Sequence, residues 1–195
     1  MTPIAEWHGV DPAKFADEIA TRYQPAVLRG LVAGWPAVAH AKESPRSIAT
    51  YLASFDSGKP VDTLLAPASA KGRIFYNDDL TGFNFTRNAS TIKAVAEQLL
   101  RYAAFDNRPM LAVQSALISD CLPGFGAENR LDILDPSVAP RIWLGNRVVT
   151  PAHFDESSNI ACVVSGHRRG ILGDMSPDFR RQVREFLVKQ LGGKK

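Results

Sequence analysis

The chain has 195 residues, 45% of them apolar and 22% charged, with 14 Gly and 13 Pro, which excludes a collagen-like, coiled-coil or wholly disordered protein. The net charge of +3 is uneven: residues 168–195 hold eight Lys/Arg and three Asp/Glu, the other 167 hold fifteen and seventeen, so a uniformly basic nucleic-acid surface is not expected. Cys121 and Cys162 lie far apart, the N-terminus has no basic-then-apolar leader, and the longest uncharged run (Gly30 to Ala41) is too short for a bilayer, so a reducing, cytoplasmic, membrane-free setting is expected.

The first predicted helix runs from Pro12 to Arg22, with Asp11 as N-cap and Phe15, Ala16 and Ile19 on one face. Gln24-Pro25 ends it, and Ala26–Arg29 reads as a short strand closed by Gly30. Ser44-Pro45 opens a second helix with the stripe Ile48, Tyr51, Leu52 and Phe55. Val61–Leu65 and Arg73–Tyr76 are strand-like. Ser90 is the expected cap of a longer helix carrying Ile92, Val95, Ala96, Leu99, Leu100 and Ala103. Pro109–Leu117 reads as a buried strand, and Leu122–Ala139 as loop.

Arg141–Leu144 alternates around Trp143, and Gly145-Asn146 is a turn signal. Trp35 and Trp143 are expected in the core. Val148–Thr150 is short and β-branched; Asn159–Val164 is a strand candidate, followed by a Ser165-Gly166 hairpin turn into His167–Leu172. Ser176 and Pro177 start a terminal helix with the stripe Phe179, Val183, Phe186, Leu187 and Leu191. Its two aromatics fall on that apolar stripe rather than among the basic residues, which argues against nucleic-acid binding by the tail. The element order predicts α+β with an antiparallel sheet.

The chemistry concentrates in Thr150-Pro151-Ala152-His153-Phe154-Asp155. Side chains at i and i+2 of a strand share a face, so His153 and Asp155 can offer a nitrogen and a carboxylate oxygen to one metal ion. That is two-thirds of the two-His-one-carboxylate arrangement of non-heme Fe(II) sites. The alternative reading of the same pair is a surface loop with a turn-making Asp.

The longer run Gly145–Asn159, with Thr150-Pro151-Ala152-His153-Phe154-Asp155-Glu156-Ser157-Ser158-Asn159 and then Ser165-Gly166-His167-Arg168-Arg169, resembles the cupin-like jumonji-C oxygenases. The shared pattern is T-P-x-H-(F/Y)-D-E-x-x-N, and the resemblance is strongest to the branch containing the asparaginyl hydroxylase that inhibits hypoxia-inducible factor. Pro25–Ala37 is similar to that family's N-terminal signature. The resemblance implies an Fe(II)- and 2-oxoglutarate-dependent hydroxylase of a protein side chain or small molecule. His153 and Asp155 would be iron ligands, Thr150 and Arg168 would hold 2-oxoglutarate, and Asn159 would sit beside the cosubstrate or metal. It also implies a single domain over 1–195 with a partial double-stranded β-helix, N-terminal helices and a C-terminal helix.

The sequence departs from that family at the third ligand. The histidines are His8, His40, His153 and His167, and none follows the hairpin. The second half of the barrel is therefore expected to be missing after about residue 169, by deletion or in a divergent short member. Half a barrel leaves an unpaired edge and an uncovered sheet face, so self-association into a homodimer is expected. The alternative to a hydroxylase is a non-catalytic binding or dimerisation module.

Overall fold

A computed structural model describes residues 3–153, 155 and 158–170. The chain divides into two compact units: residues 1–31 with 154–195, and residues 32–153.

In the smaller unit β1 (Ala5–His8) and β2 (Ala26–Arg29) pair in parallel, with Glu6 opposite Val27 and His8 opposite Arg29. The Arg29 guanidinium donates to both Glu6 carboxylate oxygens, at 2.9 and 2.7 Å. Parallel strands need a crossover, and residues 12–22 supply a helical one. Asp11 caps it by accepting from the Lys14 N–H at 2.8 Å. The helical stretch falls on the expected residues but changes type, from α1 (Pro12–Lys14) to a π turn (Phe15–Ile19) and a 3-10 turn (Ala20–Arg22). Side chains compete for its carbonyls: Thr21 Oγ1 donates to Asp17 O at 3.0 Å and Arg22 Nε to Glu18 O at 2.7 Å. Tyr23, at φ 51°, ends it.

The larger unit holds an antiparallel sheet in the order β4-β3-β5-β6. Its strands are β3 (Val61–Ala66), β4 (Thr86–Ser90), β5 (Met110–Leu117) and β6 (Arg141–Gly145). Leu64 and Ala66 pair with Ala112 and Met110 and share one face with them. There they form a core cluster with Ile74, flanked by Ala70, Phe85 and Val148. Met110 to Val113 are all buried, so both faces of β5 are covered, and α4 (Ile92–Tyr102) packs against it. A strand buried on both sides reads as an apolar run rather than an alternation, which is how the sequence presents it.

Helices α2 (Pro36–Glu43) and α3 (Pro45–Ser54) pack on each other, and α3 packs on α4. Ser44 caps α3, its Oγ accepting from the Ser47 N–H at 3.0 Å. The cap of α4 is Thr91, not Ser90: Thr91 Oγ1 accepts from the Ala94 N–H at 3.2 Å, while Ser90 is still paired to Val61 in the ladder. The stretch expected as loop carries α6 (Phe125–Glu128), just after α5 (Ile118–Cys121). Arg73–Tyr76 and Val148–Thr150 make isolated bridges rather than strands, Arg73 with Val149 and Tyr76 with Phe83.

The fold is α+β: mixed helices and an antiparallel sheet that, among the described residues, does not close, consistent with a partial jelly-roll. Trp143 is a correction to the expected core. Trp35 is half-buried, with its indole N–H on Arg130 O at 2.7 Å, but Trp143 is 58% exposed.

Candidate functional site

The chain reaches the H-x-D segment through β6 and a tightly held exit. Gly145 lies so close to β5 that a Cβ there would sit 2.8 Å from Leu111 O. Asn146 then extends the ladder with its side chain: Oδ1 accepts from the Leu111 N–H at 3.0 Å and Nδ2 donates to Pro109 O at 2.8 Å. The turn signal at Gly145-Asn146 thus marks the place where a side-chain amide takes over strand pairing. Three residues on, the chain is gripped again. The Val149 N–H donates to Gly72 O at 2.8 Å, and Val149 O accepts from the Ile74 N–H at 3.4 Å. Gly72 is buried at φ +81°, and a Cβ on it would collide with Arg147 O, so only glycine admits this approach. Asn146 and Gly72 escaped the sequence reading; the signal for Gly72 was a lone glycine before a strand-like run.

After Val149 regular pairing stops. Pro151 has no N–H, and among the described residues 150–153 and 155 none is in a strand. The shared strand face expected for His153 and Asp155 is therefore not built from a regular strand. Thr150 and His153 are exposed at the end of the larger unit. His153 Nδ1 lies 2.9 Å from Pro151 O. A carbonyl oxygen only accepts, so in this contact Nδ1 is the donor.

Asp155, Asn159 and Arg168 belong to the smaller unit and are all exposed. Asn159 Nδ2 donates to Asp155 Oδ2 at 2.6 Å, so those two predicted residues do meet. Residues 158–164 form no regular strand, yet their exposure alternates: Ile160, Cys162 and Val164 are half-buried, Ala161 and Val163 exposed. Burial raises the Cys162 thiol above its ordinary pKa. The expected turn is present as a bend at Ser165-Gly166 with Gly166 at φ +74°, and Arg168 follows it. The expected C-terminal helix, Pro177 to Leu191, lies outside the described residues, as do 171 and 172 of the expected strand His167–Leu172, whose described residues 167–170 form no strand.

Among the described residues no group of three or more His, Cys, Asp or Glu is placed to hold a metal ion. His153 and Asp155 are both exposed, His153 as the last residue of the larger unit and Asp155 in the smaller one. No helix among the described residues is long and apolar enough to cross a membrane. The cupin-like domain family model matches residues 12–177. That span takes in the crossover of the smaller unit, the open antiparallel sheet and the H-x-D segment, and the chain belongs to the cupin-like domain family.

Proposed function

We propose that this chain is a cupin-like domain of Fe(II)- and 2-oxoglutarate-dependent hydroxylase type, in which His153 and Asp155 bind a divalent metal ion without completing a three-ligand site. The motif likeness to the jumonji-C branch supports the class. The observation that supports the metal assignment is the His153 Nδ1 contact to Pro151 O at 2.9 Å, which holds the imidazole through one nitrogen, as a second partner holds a ligating ring. Asn159 holds the Asp155 carboxylate by a charge-assisted hydrogen bond and acts as a positioning residue. Thr150 and Arg168 are assigned to the keto acid, Arg168 to its distal carboxylate. Bound iron with 2-oxoglutarate would supply the oxidising chemistry. The chain's own part is to hold these groups, and a protein side chain or small molecule would be the substrate.

Exposure sets the expected strengths. In a closed site an Arg–carboxylate bond to 2-oxoglutarate is worth roughly 1.5–3 kcal/mol, but Arg168 is exposed. A surface pair contributes at most about 1 kcal/mol, or roughly fivefold in affinity. Anaerobic Mn(II) titration of the wild type, His153→Ala and Asp155→Ala tests the reading. Both variants should lose affinity by a similar factor, and Arg168→Ala should weaken 2-oxoglutarate binding a few-fold while Arg169→Ala does little. A wild type that takes up no divalent metal removes the metal assignment.

A second reading, a non-catalytic binding module, draws on the apolar surface of the larger unit. Phe75, Tyr76, Leu80, Phe83 and Trp143 are each more than half exposed. Such a module would bind its partner equally well after His153→Ala, whereas a substrate of the metal site would not.

A further inference from the structure

β6 lies at one edge of the sheet of the larger unit, and among the described residues it pairs only with β5. Its backbone directions follow from its neighbours. The Asn146 N–H bonds to Leu111 O at 3.2 Å and the Ile118 N–H to Pro140 O at 3.0 Å. Leu144 pairs with Val113 and Ile142 with Ala116. Inward and outward groups alternate along an antiparallel strand. Positions 140, 142, 144 and 146 therefore spend their N–H and C=O groups on β5, and Arg141, Trp143 and Gly145 aim theirs at the open edge. Gln114 and Ser115 of β5 together oppose Trp143, with Ser115 at φ 52°, so a bulge sits behind the centre of β6 while β6 itself is unbroken.

We propose that two copies of this chain join edge to edge through antiparallel pairing of β6 with β6, centred on Trp143. The strand is self-complementary about that residue. Trp143 opposes the partner's Trp143 and exchanges two backbone hydrogen bonds with it. Arg141 opposes the partner's Gly145 at each end and exchanges two more. Ile142 opposes the partner's Leu144, so the half-buried side of β6 meets its like. The charges fit the same register. Arg141 is the only ionised residue of the strand, and antiparallel pairing sets the two guanidinium groups at opposite ends rather than side by side. Each is already turned back on its own sheet, with Nη1 donating to Ser115 O at 2.7 Å. The other edge is built differently: β4 exposes Thr86, Arg87, Asn88 and Ala89, and Arg87 is paired with Asp62, a polar edge that suits water. A two-fold contact at β6 alone closes on itself and yields dimers, not fibres.

The pairing is independent of metal binding. One short strand per partner is a small interface, so dissociation on the order of micromolar is expected. Sedimentation velocity of the full chain over a concentration series tests it. Wild type and Trp143→Phe should shift from monomer to dimer. Trp143→Pro removes an outward N–H that β5 does not use, and Trp143→Lys puts a charge on the edge. Both should weaken the dimer about tenfold or more. Asn88→Lys on β4 should change nothing. Where Trp143→Pro fails to fold, Trp143→Lys, which keeps every backbone group, decides the question. A wild type that stays monomeric, a dimer that survives Trp143→Lys, or open-ended oligomers that Asn88→Lys disperses would each overturn the proposal.

Discussion

At the scale of single residues, two positions carry more than their sequence signals suggest. Gly72 admits the approach of Arg147, so Gly72→Ala combines a positive φ with a clash against the Arg147 carbonyl oxygen. It should destabilise the larger unit by about 1–3 kcal/mol, read as a lower urea midpoint at unchanged slope. Tyr51 is the second. Burial pushes its hydroxyl pKa above the ordinary 10.0; the Asn129 hydrogen bond pulls it down, and the Glu128 hydrogen bond and charge push it up. Its OH donates to Glu128 Oε2 at 2.8 Å and accepts from Asn129 Nδ2 at 2.9 Å, tying α3 to the end of α6. A raised pKa in the fold means that this contribution is complete below pH 10 and is lost as pH rises through the higher folded value. Alkaline titration of the tyrosines should show a late component that Tyr51→Phe removes. The sequence marked Tyr51 only as part of an apolar stripe, because its polar partners lie 77 and 78 residues away.

Among the elements, helix caps show how close a local reading comes and where it slips. Ser90 and Thr91 are both competent caps by residue type, and nothing local chooses between them. The choice is made by β3, far off in the sequence, which keeps Ser90 in its ladder opposite Val61. Thr91→Ala should therefore cost about 0.5–2 kcal/mol in thermal or denaturant unfolding, and Ser90→Ala much less. The same non-local cause explains the elements that were missed. β4 is polar and exposed along Thr86–Ala89 and becomes a strand only because β3 offers an edge. β1 has four residues and no alternation in its burial, and forms through β2. α2 was legible in principle, with Pro36 at its first position, but its short alanine-rich face gives a weak stripe. Strands and helices with strong apolar patterns (β3, β5, α3 and α4) fell where the pattern put them, because each buries part of that pattern, whereas β6 is held by its ladder with β5 and leaves Trp143 exposed.

For the molecule as a whole, the class of the fold and the lack of a histidine after the hairpin were open to reading, and the local backbone around the H-x-D pair was not. Alternating helices and strands followed by a β-rich block specify α+β, and the H-x-D run with its flanking residues points to the family. What periodicity does not encode is that Pro151 ends regular pairing just where His153 and Asp155 begin, or that Thr150, Asn159 and Arg168 stay exposed. An exposed pair of donors neither excludes water nor fills a coordination sphere. The 195-residue chain supplied with Fe(II) and 2-oxoglutarate should therefore release succinate at close to the rate of the His153→Ala variant. A clear iron-dependent excess over that variant would mean that a further ligand joins the pair. Both cysteines should react slowly with alkylating agents at neutral pH, since burial is the leading cause that raises the pKa of each.

The grip on Val149 has a consequence in time as well as in space. Its amide is bonded to Gly72 O and its carbonyl to Ile74 N–H, and the segment that follows has left the ladder. Deuterium should therefore enter the backbone unevenly along a few adjacent positions. The Val149 amide should exchange slowly, through opening of the larger unit, and the amides of Thr150, Ala152 and His153 should exchange orders of magnitude faster. Pro151, with no amide, is silent at the boundary. If both donors take up one metal ion, the fast side of that boundary should move past His153 on metal addition, so the protection step itself would report the loading of the site without any turnover.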